Sequence, residues 1–199
     1  MDKFQKRTVL TYEIIGVLFI TVLGSLFHFI FELSGFNPIV GAFSAVNESV
    51  WEHLKLGFWP LIIFTVIEYW KIRDKTNNFF LAKAVAAFTI ILIIPAIFYS
   101  YTSITCEAIL VIDILSFIIA VIVGQFLSYK LLSFKQQNKT VELISIIALA
   151  VLAVLFVIFT FYPPHLSPFQ DAVTGEYGIL AHSPYLLAVA TSICNIEKN

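Results

Sequence analysis

The sequence predicts an all-α, polytopic transmembrane helix bundle of about five spans, and three observations carry that expectation. Five long apolar stretches are nearly free of ionisable residues. The chain is 59% hydrophobic and 13% charged, with a mean hydropathy of +0.91, whereas soluble domains carry roughly 25% charged residues. Finally, the acidic and histidine side chains His28, Glu32, Glu48, Glu52, His53, His165 and Asp171 gather at junctions between the apolar stretches. Lipid solvates neither charges nor unpaired backbone groups, so such spans must be helical, and ionisable residues beside them need a reason to be there.

The first span is expected over about residues 12–33, where ~20 apolar residues match the thickness of a bilayer core. It ends in Glu32, Leu33, Ser34 and Gly35 rather than in a small-residue cleavage site, which argues against a cleaved signal peptide. The second, about 48–70, is expected to start at Asn47, whose side chain is suited to cap it, and Pro60 is a candidate kink. The third covers about 79–101 and includes Pro95; the fourth covers about 107–131 and the fifth about 141–162. The apolar run from Tyr185 to Cys194 is too short for an ordinary span and is expected as a half-inserted or surface helix. These spans use nearly all of the 199 residues as a single integral membrane domain. Cys106 and Cys194 form neither a CxxC pair nor a disulfide framework. Nothing points to a nucleic-acid partner; the expected partner is the bilayer. The oligomeric state is left open.

Orientation follows from the basic residues. Ten of the twelve Lys and Arg fall at Lys3, Lys6, Arg7, Lys71, Arg73, Lys75, Lys83, Lys130, Lys135 and Lys139, and the alternate junctions hold none. The positive-inside rule therefore places the N-terminus in the cytoplasm and the acidic, histidine-bearing junctions outside. The first outer loop reads LSGFNPIVGAFSAVNESVWEH; its apolar centre is expected to be partly re-entrant.

His28 and Glu32 stand four apart near the outer end of the first helix, and Glu48 and Glu52 repeat that spacing at the start of the second, so each pair is expected on one helix face. Lys55 extends the second stripe. Imidazole and carboxylate groups converging from adjoining helices are what a divalent metal needs, with water in an open position. On this basis His28, Glu32, His53 and His165 are candidate metal ligands, Glu48 and Glu52 candidate general bases, and Asn47, Lys55, Asp113 and Asp171 candidate ligand-binding residues. The competing reading is structural: Lys55 neutralises Glu48 and Glu52, Asp113 bonds to Tyr99, Tyr101 or a backbone carbonyl, and His165 is a solvent-exposed loop residue. No HExxH, GxSxG or Walker motif is present.

Two strings stand out, NPIVGAFSAVNESVWEHLKLGFWP from Asn37 to Pro60 and FYPPHLSPFQDAVTGEYGI from Phe161 to Ile179. Through them the chain resembles a family of small bacterial polytopic membrane proteins known only as a domain of unknown function. The resemblance excludes the tail after about Ile179, implies a multi-pass protein of the bacterial cytoplasmic membrane, and brings no activity with it. Three function classes follow from the residues. The outward pocket binds a cation, a divalent metal or a small polar ligand; or it is the centre of a metal-dependent hydrolase or transferase on a lipid-linked substrate; or the polar stripe pairs an accessory subunit with a partner.

Overall fold

The computed structural model describes residues 2–179. The α-helices follow in the order α1 (Lys3–Phe27), α2 (Ile30–Leu33), α3 (Pro38–Gly41), α4 (Val50–Ile72), α5 (Phe79–Thr105), α6 (Leu110–Leu132) and α7 (Lys139–Phe161), with 3-10 turns at Arg73–Lys75 and Ser167–Phe169. Among the described residues extended pairing is confined to one antiparallel bridge, Gln170 with Tyr177. Five helices, α1 and α4 to α7, are long and apolar enough to cross a membrane, which agrees with the expected class and span number. The half-helix expected over Tyr185 to Cys194 lies outside the described residues.

Several boundaries differ from expectation in ways that move the site. Helix α1 stops at Phe27; the chain tightens at His28 and Phe29, where the Phe29 N–H donates to Leu26 O at 3.1 Å, and α2 follows. His28 and Glu32 therefore do not share one continuous helix. Helix α4 begins at Val50 rather than next to Asn47. The Asn47 side chain accepts from Ser49 N at 2.9 Å, and the Ser49 hydroxyl accepts from Glu52 N at 3.3 Å, so Ser49 is the capping residue. Glu48 thus precedes the helix and leaves the stripe of Glu52 and Lys55. Helix α6 begins at Leu110, which puts Asp113 in its first turn instead of two turns deep. Both Pro60 and Pro95 lie inside helices that continue through them, as membrane helices allow.

The chain divides into two compact units, with boundaries inside α1, α4 and α7. The first comprises the described residues of Met1–Ser25 with Leu56–Ala153. Here α6 buries Ser116, Ala120, Gly124 and Ser128 at every fourth position, and α5 buries Ala82, Ala86, Ile90 and Ile94 at the same spacing. A seam of small residues lets two backbones approach closely. A Cβ added to Gly124 would stand 3.1 Å from the Ala86 carbonyl oxygen. On the opposite side, Leu10, Ile14, Leu18 and Val22 of α1 and Leu115, Ile119, Ile122 and Phe126 of α6 are exposed, an apolar surface suited to lipid. Lys83, expected among the cytoplasmic loop cations, is instead fully buried and paired with Glu13 and Glu68. It lies within α5, on the buried face that carries Ala82, Ala86 and Ala87.

The second unit comprises the described residues of Leu26–Lys55 and Val154–Asn199. Its first loop is largely interior: Gly41, Ala42, Ser44 to Asn47 and Ser49 are all buried. Trp51 fills the space beside it, with its ring 4.8 Å from Phe156 and Phe169 and 5.4 Å from Phe159.

Close approach in the first unit is testable at Gly24, where a Cβ would overlap the Leu56 carbonyl oxygen and crowd Phe117. Gly24→Leu is expected to lower stability by about 1–3 kcal/mol. Leu18→Ala, on an exposed face, should stay within about 0.5 kcal/mol of the parent. Thermal unfolding in detergent compares the two, and equal midpoints would show that α1 and α4 do not pack here.

Candidate metal centre

His28, Glu48 and His53 converge in the second unit, although none of the three pairs was predicted as a helical-stripe contact. The break after α1 turns His28 away from the helical register. The loop before α4 delivers Glu48, and the first turn of α4 delivers His53. The two imidazole Nε2 atoms stand 3.3 Å apart. His53 Nε2 lies 3.4 Å from Glu48 Oε2, and His28 Nε2 lies 3.7 Å from Glu48 Oε1. Donors each about 2.0–2.1 Å from a tetrahedral zinc are separated from one another by about 3.3–3.4 Å. Two of the three separations match that geometry, and the third needs a shift of a few tenths of an ångström.

The protonation of His53 is settled by its other nitrogen. Nδ1 lies 2.8 Å from the Ser49 carbonyl oxygen, which only accepts, so Nδ1 carries the proton. In the neutral ring Nε2 then presents its lone pair to the cluster. A backbone carbonyl behind a histidine is the usual outer support of a metal-binding imidazole. His28 Nδ1 is buried without a hydrogen-bond partner among the described residues. The neighbouring side chains of His28 and then His53 hold the half-buried Glu48 carboxyl well below the usual carboxylate range, against the opposing effect of burial. Glu48 is therefore an anion throughout the neutral range.

A cavity of about 220 Å³ adjoins the cluster. Its polar lining comes from His28, Glu32, Asn47 and Glu48, and its apolar lining includes Phe29, Phe31 and Val46. Glu32 is exposed and lines the cavity without joining the three-residue group. His165 stands outside that group, stacked on Tyr177 with ring centres 4.5 Å apart.

The remaining candidates hold the fold around the site. Glu52 Oε2 accepts from Val46 N at 3.0 Å and pairs with Lys55, while Oε1 lies 3.4 Å from the Thr160 hydroxyl. Lys55 Nζ donates to Gly41 O and to Thr160 Oγ1, both at 2.8 Å. Both ionic side chains are buried, so the pair ties the loop to the end of α7 from inside. Asn47 donates to Gly178 O at 3.1 Å. Asp171 is buried and organises its own turn, accepting from Val173 N at 2.9 Å and Thr174 Oγ1 at 2.8 Å. In the first unit, Asp113 accepts from Tyr101 Oη at 2.6 Å, and that oxygen also accepts from Ile109 N at 3.0 Å.

Sequence reasoning reads Ser49 as an ordinary turn and capping residue, without its link to His53, and passes over Thr160. Ser49 had one legible signal, its place four residues before His53 at a helix start. Thr160 had none, since its role depends on a contact across 105 residues.

Removing one member of a buried ion pair strands the other, at a cost of about 3–5 kcal/mol. Lys55→Met should therefore destabilise the protein strongly, and the double variant Lys55→Met, Glu52→Gln should recover part of the loss. Thermal unfolding of the parent and the variants tests this; unchanged stability of Lys55→Met would remove the pair as the anchor of the loop.

Searches against curated proteins and against solved structures find no match to either. A family model described as a family of unknown function matches residues 1–179, and the chain belongs to that family, DUF6512.

Proposed function

We propose that this is a multi-pass membrane protein whose His28, Glu48 and His53 side chains hold one divalent ion of the zinc type. The observation that carries the reading is the convergence of two imidazole Nε2 atoms and a carboxylate at tetrahedral-metal separations, with the His53 proton fixed on Nδ1 by Ser49. Three protein donors leave a fourth position, which is the mark of a catalytic rather than a structural zinc site. An ion held there would polarise a bound water or a substrate oxygen.

In this reading Glu48 is a ligand rather than a free base, and Glu32, exposed at the same cavity, is the carboxylate left for proton transfer. The surroundings favour a substrate with a polar head and an apolar body. Phe29, Ile30, Leu33, Ile39 and Phe43 are exposed in the unit that contains the cavity, and such a rim fits lipid chains beside a small polar pocket. The class of reaction is hydrolysis or group transfer at an ester or phosphoryl oxygen of a lipid-linked substrate. With Lys83 set aside, nine basic residues still lie at alternate junctions, which supports an N-terminus in the cytoplasm and a site at the outer face of a bacterial cytoplasmic membrane.

Elemental analysis of detergent-purified protein tests the centre directly. Near-stoichiometric zinc or a similar metal is expected in the parent. Occupancy should fall by about 10- to 100-fold or more in His28→Ala, Glu48→Gln and His53→Ala, and stay unchanged in His165→Ala and Glu32→Gln. Absence of metal from the folded parent after zinc supplementation, or full retention in His53→Ala, would sink the proposal.

A further inference from the structure

A second set of ionisable groups lies in the other unit, within the membrane-spanning helices. Lys83 Nζ of α5 donates to Glu13 Oε1 of α1 at 2.8 Å and to Ser128 Oγ of α6 at 3.1 Å. It also stands 2.6 Å from Glu68 Oε2 of α4. Ser128 donates onward to Glu13 Oε1 at 2.8 Å. None of the three ionisable side chains is more than 3% exposed.

The charges do not balance. Two carboxylates face one ammonium, and a net negative charge sealed in an apolar interior is costly unless it is neutralised. Glu13 Oε2 and Glu68 Oε1 are moreover buried without hydrogen-bond partners among the described residues. Gln125, only 1% exposed, likewise has neither its amide nitrogen nor its oxygen bonded. It packs against Gly16, one turn from Glu13 on α1, and sits one turn from Ser128 on α6, so its amide lies along the same seam.

The charged groups of this cluster come from α1, α4 and α5, and α6 supplies the Ser128 hydroxyl and the Gln125 amide. Lys83 already fills the position between the two carboxylates, so a metal ion there would stand against an ammonium. A proton needs no coordination shell, cancels the excess charge, and converts one orphan oxygen into an O–H donor. We propose that Glu13 and Glu68 form a proton-binding site that holds one exchangeable proton at neutral pH, shared between the two carboxyls and countered by Lys83. The loaded site is electrically neutral and the emptied site carries one negative charge. It stands independently of the metal centre, because it uses different residues and a different ligand.

Infrared difference spectroscopy on the full chain in lipid, between neutral and alkaline buffer, tests the proposal. The carbonyl stretch of a protonated carboxylic acid should be present at neutral pH, disappear on alkalinisation, and shift in deuterium oxide. Glu13→Gln and Glu68→Gln should each abolish it, since either leaves a single carboxylate matched to Lys83. Each variant is also expected to fold, because the amide has nearly the same shape and the remaining pair is neutral; circular dichroism checks this. No such band in the parent, its persistence in either variant, or failure of both variants to fold would overturn the proposal.

Discussion

An ammonium group buried among helices must meet its counter-charges there, and each of the two compact units is organised around one such group. Lys55 and Lys83 are both fully buried. In one unit Lys55 draws together Glu52, the Gly41 carbonyl and Thr160; in the other Lys83 draws together Glu13, Glu68 and Ser128. Because both ammonium groups are buried, each lysine constrains the position of its partners more than apolar packing alone would. The arrangement is the inverse of a soluble domain: polar groups sit inside, and the exposed helix faces are apolar.

This constraint explains how a loop can present Glu48 to His28 and His53. Residues 42 to 49 lie between α3 and α4, yet most of them are buried, and their backbone groups need partners. Glu52 takes the Val46 N–H, Lys55 takes the Gly41 carbonyl, and Asn47 reaches Gly178. The segment between these fixed points carries Glu48. Its carboxylate is held to within a narrow range of positions by residues that themselves never enter the cluster. Ser49 does two tasks at once, capping α4 through its hydroxyl and orienting His53 through its carbonyl. A change at Glu52 or Lys55 would therefore disturb the cluster of His28, Glu48 and His53 through the backbone rather than by removing one of its members.

The helices were legible because hydropathy and length set them, and lipid admits few alternatives to a helix. The residue types of the candidate site were legible too, since His28, Glu48 and His53 all stood out as ionisable groups beside apolar spans. Their partnership was not. Helical spacing paired His28 with Glu32 and Glu48 with Glu52, and both pairings assumed helices that are in fact interrupted at His28 and begun only at Val50. The interruption depends on where the buried loop goes, and that is decided by contacts such as Lys55 with Thr160, far apart in sequence. Lys83 misled for a related reason: a cation four residues into a span reads as an interfacial anchor unless Glu13 and Glu68 are known to face it. Glu13 gave no warning, because one carboxylate near the start of an apolar stretch is compatible with a position at the membrane boundary.

What separates structural polar groups from candidate functional ones in this protein is whether their bonding capacity is used up. Lys55, Glu52, Asn47 and Asp171 have partners among the described residues and hold loops in place. In the His28, Glu48 and His53 cluster, His28 keeps a buried Nδ1 without a hydrogen-bond partner among the described residues. In the other unit, Glu13 and Glu68 each keep a buried oxygen without one. Buried polar atoms that bond to nothing are rare in folded proteins because each forfeits its interaction with water. Four of them, Glu13 Oε2, Glu68 Oε1 and both amide atoms of Gln125, lie along the seam that holds Lys83, and a proton between the two glutamates is a partner of matching chemistry.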